Sequence, residues 1–195
     1  PDLRDHIVDI VSFPMSPGWT SSCGASSNDD GAEDLDSGHG THVAGSVLGD
    51  GTNTGGAIRG AAPEARLYMQ ATEQYCDNDN DYYLTGIPSD YTTMFKPAWE
   101  NGSRVHTNSW GSSVAGAYTS GSMQADSSAR TYQNMTILFS AGNSGVDGNS
   151  DGEIDDDSLG SPATGKNVIT VAAGENDRPT ITSERGGRWP AEYPS

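Results

Sequence analysis

Residues 37–49 read "SGHGTHVAGSVLG" and place two of the chain's four histidines, His39 and His42, three positions apart among small residues. His39, Val43 and Val47 recur at intervals of four, which predicts a helix over this segment with both histidines near one face. Three interpretations of the pair stay open at this point. They are a metal pair, a general base with a structural neighbour, and two histidines whose polar atoms are satisfied in a core.

Short β-rich runs alternate with helical patterns on both sides of this helix. Strand–helix alternation with continuous apolar strands is typical of a parallel sheet, so we predict an α/β fold. No repeat or obvious linker interrupts the pattern, and residues 1–195 are interpreted as a single domain. The predicted strands are 6–13, 65–72, 103–110, 135–141 and 166–173, and the further helices lie around 91–99 and 122–133.

Charge is the strongest bulk property of the chain, with 27 acidic and 10 basic side chains and a net charge of −17. Nucleic acids and anionic membrane surfaces would be repelled, so neither is expected as a partner. Apolar runs such as "MTILFSAG" (135–142) are far shorter than the ~20 residues that a membrane span needs. An acidic surface suits a secreted, calcium-rich or salty setting, and it also suits simple solubility.

Two polar stretches follow predicted strands, "TNSWG" at 107–111 and "SAGNSG" at 140–145. Ligands of parallel sheets bind outside the carboxyl ends of the strands, so chemistry is expected here. An amide donor at Asn143 could stabilise a developing oxyanion, and an ordinary strand-terminal turn is the alternative. His39 as a general base needs a nucleophile and an orienting carboxylate, whereas a zinc pair with His42 needs a third ligand that is not evident.

Three motifs in this order, "HGTHVAG" (39–45), "NSWG" (108–111) and "SAGNSG" (140–145), resemble those of subtilases, the subtilisin-like serine proteases. "SPATGKNVITVAA" (161–173) resembles the stretch after that family's oxyanion asparagine. The resemblance spans nearly the whole chain and is closest to the long, oxidation-tolerant alkaline bacterial subtilases. It implies a three-layer α/β fold, with a mainly parallel sheet flanked by helices, and a serine-type endopeptidase that hydrolyses polypeptides.

The resemblance also implies roles for single residues. His39 would be the triad histidine, His42 a structural residue buried under the helix, and Asn143 the side-chain donor of the oxyanion hole. His39 and Asn143 are then expected to act on the same scissile carbonyl. Two edges would bind the substrate backbone as an added strand. One edge would consist of Ser109, Trp110 and Gly111, and the opposing edge of Thr85, Gly86 and Ile87.

The same resemblance leaves the other two triad members unassigned. The family's aspartate would precede Pro1, and its serine would follow the strand that ends at 173. Ser122 in "SGSMQAD" (120–126) imitates the serine motif, but it precedes Asn143 where it should follow. We therefore expect an incomplete catalytic domain whose 195 residues alone have no useful protease activity, since triad members act as a unit. Unpaired strand edges would make it marginal or insoluble on its own.

An acidic stretch, "DGNSDGEIDDDS" (147–158), fits the first nine positions of an EF-hand calcium loop. Gly152 falls at the sharp turn and Ile154 at the position that anchors the loop inward, although Ser158 stands where the loop usually has glutamate. A flexible acidic insertion is the alternative. We predict a structural Ca²⁺. Its ligands would be Asp147, Asn149, Asp151, Glu153 through its carbonyl, and Asp155.

Two cysteines, Cys23 and Cys76, allow one disulfide, which an even count alone does not establish. The resemblance favours the bridge, because the strands that the cysteines follow are parallel neighbours in the family. A bridge would fit an oxidising, extracellular setting, so the protein is expected to be secreted.

The complete protein is expected to be a monomer. The alternative function is a non-catalytic pseudoprotease or calcium-stabilised peptide-binding module. A zinc hydrolase is the third function considered.

Overall fold

The computed structural model describes residues 2–24, 38–151 and 153–174. The chain divides into two compact units, Pro1–Ser103 and Arg104–Ser195, and each is described by itself. The interpretation of 1–195 as a single domain stays a prediction.

The described residues of the first unit form two strand pairs and three helices. Strands β1 (Ile7–Ser12) and β2 (Leu67–Ala71) are parallel neighbours, with Ile7 opposite Leu67 and Ser12 opposite Ala71. Strands β3 (Gln74–Cys76) and β4 (Asp81–Tyr83) form an antiparallel hairpin. In chain order the elements are β1 (Ile7–Ser12), α1 (Thr20–Cys23), α2 (His39–Leu48), β2 (Leu67–Ala71), β3 (Gln74–Cys76), β4 (Asp81–Tyr83) and α3 (Thr92–Glu100), with short 3₁₀ turns at Arg4–His6 and Thr52–Thr54.

Helix α2 is the segment predicted from the histidine motif. It begins after Gly38, whose φ of +68° is a left-handed conformation that glycine adopts at little cost. Ala44 and Leu48, one turn apart, are its buried positions. The loop that follows packs closely on the end of the helix, because a Cβ at Gly60 would lie only 2.6 Å from the backbone nitrogen of Leu48.

The described residues of the second unit form a three-stranded parallel sheet with β7 (Thr136–Ser140) in the middle, between β5 (Val105–Asn108) and β9 (Ile169–Val171). Asn108 lies opposite Phe139 in one pair, and Leu138 opposite Ile169 in the other. β6 and β8 form a short antiparallel pair. In chain order the elements are β5 (Val105–Asn108), β6 (Ser112–Ser113), α4 (Ser120–Thr131), β7 (Thr136–Ser140), β8 (Gly160–Ser161) and β9 (Ile169–Val171), with a 3₁₀ turn at Asp156–Ser158.

One face of β7 forms the core of this unit. Ile137 and Phe139 are buried, while Thr136 and Ser140 beside them are exposed, as the two-residue period of a strand requires. Helix α4 contacts β7 and contributes the buried Ala125. The core therefore lies between α4 and one face of the sheet, and the strand ends remain at the surface.

Parallel strands and helices confirm the predicted α/β class, and every predicted strand and helix is present with ends shifted by a few residues. Pro97 falls inside α3. Sequence patterns did not predict α1, the β3–β4 hairpin or the β6–β8 pair, because these elements are short and lack an apolar period. None of the helices in the described part of the chain is long and apolar enough to cross a bilayer.

Candidate active site

His39 is the first residue of α2, and its side chain is exposed. The expectation that His42 is buried under the same helix is wrong, since His42 is also exposed. The reason is the helical period: His42 lies about 200° around the axis from the buried Ala44. Within residues 2–24, 38–151 and 153–174, no group of three or more His, Cys, Asp or Glu side chains is placed to hold a metal ion, so the zinc interpretation gains no support.

The segment Thr85–Ile87, predicted as a substrate-binding edge, is tied into the first unit by its main chain. The N–H of Ser16 donates to the carbonyl of Thr85 at 2.8 Å, and the Ser16 hydroxyl donates to the carbonyl of Ile87 at 2.8 Å. The N–H of Gly86 donates to the carbonyl of Thr72 at 2.9 Å, and that of Thr85 to Tyr83 at 2.8 Å. These bonds fix the main chain of the segment within the first unit.

Asn143 lies just beyond the carboxyl end of the central strand β7. The N–H of Ala141 still donates to the carbonyl of Val171 at 2.9 Å, so pairing with β9 continues for one residue past the strand. Gly142 then takes a φ of +104°, which turns the chain away from the sheet. Asn143 follows this turn with an exposed side chain.

Ser109, Trp110 and Gly111 follow the neighbouring strand β5. Ser109 and Gly111 are exposed, while the Trp110 ring packs edge-on against Phe139 with 5.2 Å between centroids. A Cβ at Gly111 would lie 2.9 Å from the carbonyl oxygen of Ser161, so this close approach requires glycine. The segment therefore leaves the sheet in a defined direction at the same end as Asn143.

Asn108, the last residue of β5, was not singled out from the sequence. Its side chain is 2% exposed, and its Nδ2 donates to the carbonyl oxygen of Leu138 on β7 at 3.0 Å. Its Oδ1 is also buried, without an aligned donor among the residues that the structure describes. Only the start of the "NSWG" motif could have drawn attention to it.

His106 lies two positions earlier on the same face of β5 as Asn108. Burial lowers its pKa to about 4, and a poorly aligned hydrogen bond with the Asn108 side chain offsets this only in part. Its Nδ1 is fully buried, although the residue as a whole is partly exposed. The ring is therefore neutral at physiological pH and does not serve as a cationic group.

Ser122, rejected as a nucleophile on motif order, is fully buried near the start of α4. Its hydroxyl lies 2.7 Å from the Thr164 hydroxyl and 3.1 Å from the Ser161 hydroxyl. It also completes a capping box with Thr119. These contacts give Ser122 a structural role at the helix start.

Asp126 is the second buried polar residue of α4, and its carboxylate accepts three hydrogen bonds. The backbone N–H groups of Lys166 and Asn167 donate to Oδ1 at 2.7 Å each, and the Tyr118 hydroxyl donates to Oδ2 at 2.9 Å. Burial alone raises the pKa of Asp126, but these bonds outweigh it and the net pKa is lowered. The carboxylate therefore holds the segment before β9 against the helix.

The acidic loop predicted to bind calcium is closed by its own side chains. Asp151 Oδ1 accepts from the N–H of Glu153 at 2.9 Å, Asp147 Oδ1 accepts from the N–H of Asp151 at 3.1 Å, and Asp155 Oδ2 accepts from the N–H of Gly148 at 3.1 Å. The Nδ2 of Asn149 donates to Asp151 at 2.8 Å.

Two residues of this loop, Gly152 and Ile154, were expected to shape its turn and its inward contact. Gly152 lies outside the described residues. Ile154, expected to point inward, is 39% exposed, so that expectation is wrong. Its side chain lies over Gly145 instead: a Cβ added at Gly145 would be 3.6 Å from Cγ2 of Ile154.

Cys23 and Cys76 form a disulfide. Both are buried, and Asn78 beside them donates through its N–H to the carbonyl of Cys23 at 3.0 Å. The bridge ties α1 to the β3–β4 hairpin, which directly precedes Thr85–Ile87.

Comparisons with known proteins agree with the motifs. A sequence model of the subtilase family, peptidase S8, matches residues 1–193. A subtilisin from Bacillus sp. (strain TA39) is 29% identical over 196 residues, which is 97% of this chain and 41% of that protein. Two Dictyostelium discoideum proteins, the serine protease/ABC transporter B family proteins tagB and tagD, are 34% and 33% identical over 72% and 78% of this chain, and the matches cover 7% and 8% of their own length. The chain thus spans less than half of each of these relatives.

Proposed function

Because this chain belongs to the subtilase family, we propose that it is part of a serine-type endopeptidase in which His39 is the general base and Asn143 the oxyanion donor. The observation that carries the proposal is the position of Asn143. Its exposed carboxamide lies beyond the carboxyl end of the central strand, and the Ser109–Gly111 segment lies beyond the end of the neighbouring strand. This end of a parallel sheet is where ligands bind.

The proposed reaction is acyl transfer to a serine. Serine attack on the scissile carbonyl puts negative charge on the carbonyl oxygen, and the Asn143 amide donates a hydrogen bond to it. His39 accepts the serine proton and then delivers it to the leaving amine. The substrate lies extended along Ser109–Gly111, where main-chain hydrogen bonds supply affinity and pockets supply side-chain preference.

The test is peptide anilide hydrolysis by the natural full-length protein, in which the aspartate and serine of the reaction are expected. We expect Asn143→Ala to lower kcat by about 10²–10³-fold with little change in KM. Ser144→Ala, at the next exposed position, is the matched control and should keep wild-type kcat. A wild-type kcat for Asn143→Ala, or turnover that survives a serine-directed phosphonate, would contradict the proposal.

The same assay decides two finer questions. The polypeptide of residues 1–195, assayed beside the full-length protein, is expected to show no turnover, because no residue in it is assigned as the nucleophile. The runner-up function is a non-catalytic peptide-binding module. Saturable binding of a peptide by the full-length protein, without any hydrolysis, would favour that module over the peptidase.

We propose further that the loop 147–158 binds a structural Ca²⁺. Its oxygen-rich side chains suit a hard cation, and its alternating acidic positions support the assignment. Among the described residues these side chains hold backbone amides and are not grouped around a metal position, so binding would have to redirect them. Calorimetric titration with CaCl₂ should lose one site in Asp147→Ala/Asp151→Ala, but not in the control Asp79→Ala on the β3–β4 hairpin. An unchanged titration would remove the assignment.

We also propose that the protein is secreted and acts on polypeptides as a monomer, without nucleic-acid or membrane partners. The Cys23–Cys76 disulfide supports an oxidising compartment. The net charge of −17 disfavours polyanionic partners. Light scattering of the full-length protein should give the monomer mass, and a stable dimer would contradict that part of the proposal.

A further inference from the structure

We propose that Asn108 is a positioning residue, which fixes the carboxyl end of β5 against β7 and so sets the spacing between the substrate edge Ser109–Gly111 and the oxyanion donor Asn143. The inference rests on the proposed function, because it concerns residues that act on substrate.

The carboxamide of Asn108 joins the two strands at the point where both leave the sheet. Its Nδ2 donates to the carbonyl oxygen of Leu138 at 3.0 Å, and Asn108 itself lies opposite Phe139. Ser109 follows Asn108 directly, while Asn143 follows Leu138 by five residues. One side-chain hydrogen bond therefore connects the segment that would bind substrate with the segment that would carry the oxyanion donor.

Packing alone does not explain an asparagine at this position. Asn108 is 2% exposed, and in the described part of the chain its buried Oδ1 has only a poorly aligned hydrogen bond with the His106 ring on the same strand face. A buried acceptor without a well-aligned donor lowers the stability of the folded protein. An apolar side chain would avoid that cost, as Ile137 and Phe139 do on the same face. A half-satisfied polar group at a strand end is where a functional requirement overrides packing.

Two neighbouring contacts complete the support for the edge. The Trp110 ring packs against Phe139, and the backbone of Gly111 approaches the Ser161 carbonyl too closely for any side chain. Both contacts hold the edge after it has left the sheet. Asn108 acts one step earlier and determines where the edge begins.

The decisive experiment is a double-mutant cycle between Asn108→Asp and Asn143→Ala in the natural full-length protein. Asn108→Asp keeps the shape of the side chain but replaces the donor with an oxygen that faces the Leu138 carbonyl. We expect kcat for a peptide anilide to fall by roughly 10-fold to 10²-fold, with KM nearly unchanged, since a small misplacement of reacting groups has effects of this order. In the Asn143→Ala background the same substitution should have little further effect on kcat, because the donor that it displaces is gone.

Asn53→Asp is the matched control: it makes the same chemical change at an exposed residue that donates to Asp2 through its backbone N–H. Equal losses from Asn108→Asp in both backgrounds would overturn the positioning role and leave the proposed function intact. A wild-type kcat for Asn143→Ala would instead remove the proposed function, and the inference with it.

If circular dichroism shows that Asn108→Asp does not fold, a second variant replaces it in the cycle. Asn108→Ala removes the donor together with the unsatisfied acceptor, and it must show the same coupling to Asn143→Ala. If neither variant folds, Asn108 has a purely structural role and the inference is wrong.

Discussion

Trp110 packs edge-on against Phe139, with 5.2 Å between ring centroids and an angle of 90° between the ring planes. Phe139 lies on the central strand and is 1% exposed, so the pair joins the candidate substrate edge to the core of the second unit.

Phe139→Ala is expected to lower the free energy of unfolding by roughly 3–5 kcal/mol, because it leaves a cavity and removes the partner of Trp110. Urea denaturation followed by tryptophan fluorescence measures the loss. Val146→Ala, at a side chain that is 57% exposed, is the control and should change stability by no more than about 0.5 kcal/mol. A loss below about 1 kcal/mol for Phe139→Ala would show that this core is not packed as described.

Removal of the Cys23–Cys76 disulfide is expected to destabilise the protein. The cysteines are separated by 53 positions, and a loop of that size corresponds to about 4 kcal/mol in the chain-entropy model. The measurement is the urea midpoint of Cys23→Ser/Cys76→Ser against the wild type, with the wild type in reductant as a second comparison. The prediction fails if the double variant and the oxidised protein unfold at the same urea concentration.

His106 is expected to make stability depend on pH between about 4 and 6.5. Burial lowers its pKa to about 4 in the folded protein, whereas an unfolded chain has the ordinary value of about 6.5. The unfolded state therefore binds the proton first as the pH falls. Stability is fully present above pH 6.5 and declines by roughly 3 kcal/mol as the pH drops to 4.

Unfolding free energies measured across this pH range in wild type and His106→Gln test the assignment. The variant should lose the pH dependence between about 4 and 6.5, while the exposed His42→Gln should retain it. The same slope in all three proteins would show that another group is responsible.

Asp126 is expected to contribute stability that is lost only at lower pH. Its pKa is lowered in the folded state, because three donated hydrogen bonds outweigh the effect of burial. This contribution to stability is present above pH 3.8, the ordinary pKa of the carboxyl group. It disappears as the pH falls below 3.8 toward the lowered pKa of the folded state. Asp126→Asn should therefore be less stable than wild type at pH 7 and converge with it in acid. The control Asp156→Asn, at an exposed position, should follow the wild-type curve, and a parallel offset of Asp126→Asn at every pH would contradict the assignment.

Much of the architecture could be predicted from the sequence, because the period of buried residues is a local property. The continuous apolar run around Ile137 and Phe139 indicates a strand, and the spacing within residues 39–48 indicates α2, whatever the rest of the chain does. The three motifs also identified the family and placed Asn143 after a strand. The β3–β4 hairpin was missed, since its stability comes from a disulfide and from pairing between short polar segments.

The amino-acid sequence by itself determined the α/β class, the family and the strand after which the candidate oxyanion donor lies. Only the tertiary structure decided that His42 faces solvent, that Ser122 is buried among hydroxyl groups, and that Asn108 joins β5 to β7. These outcomes depend on strand register and on the direction in which each helix faces the core. Both are set by contacts between residues far apart in the chain, such as Asn108 and Leu138, which no local pattern encodes.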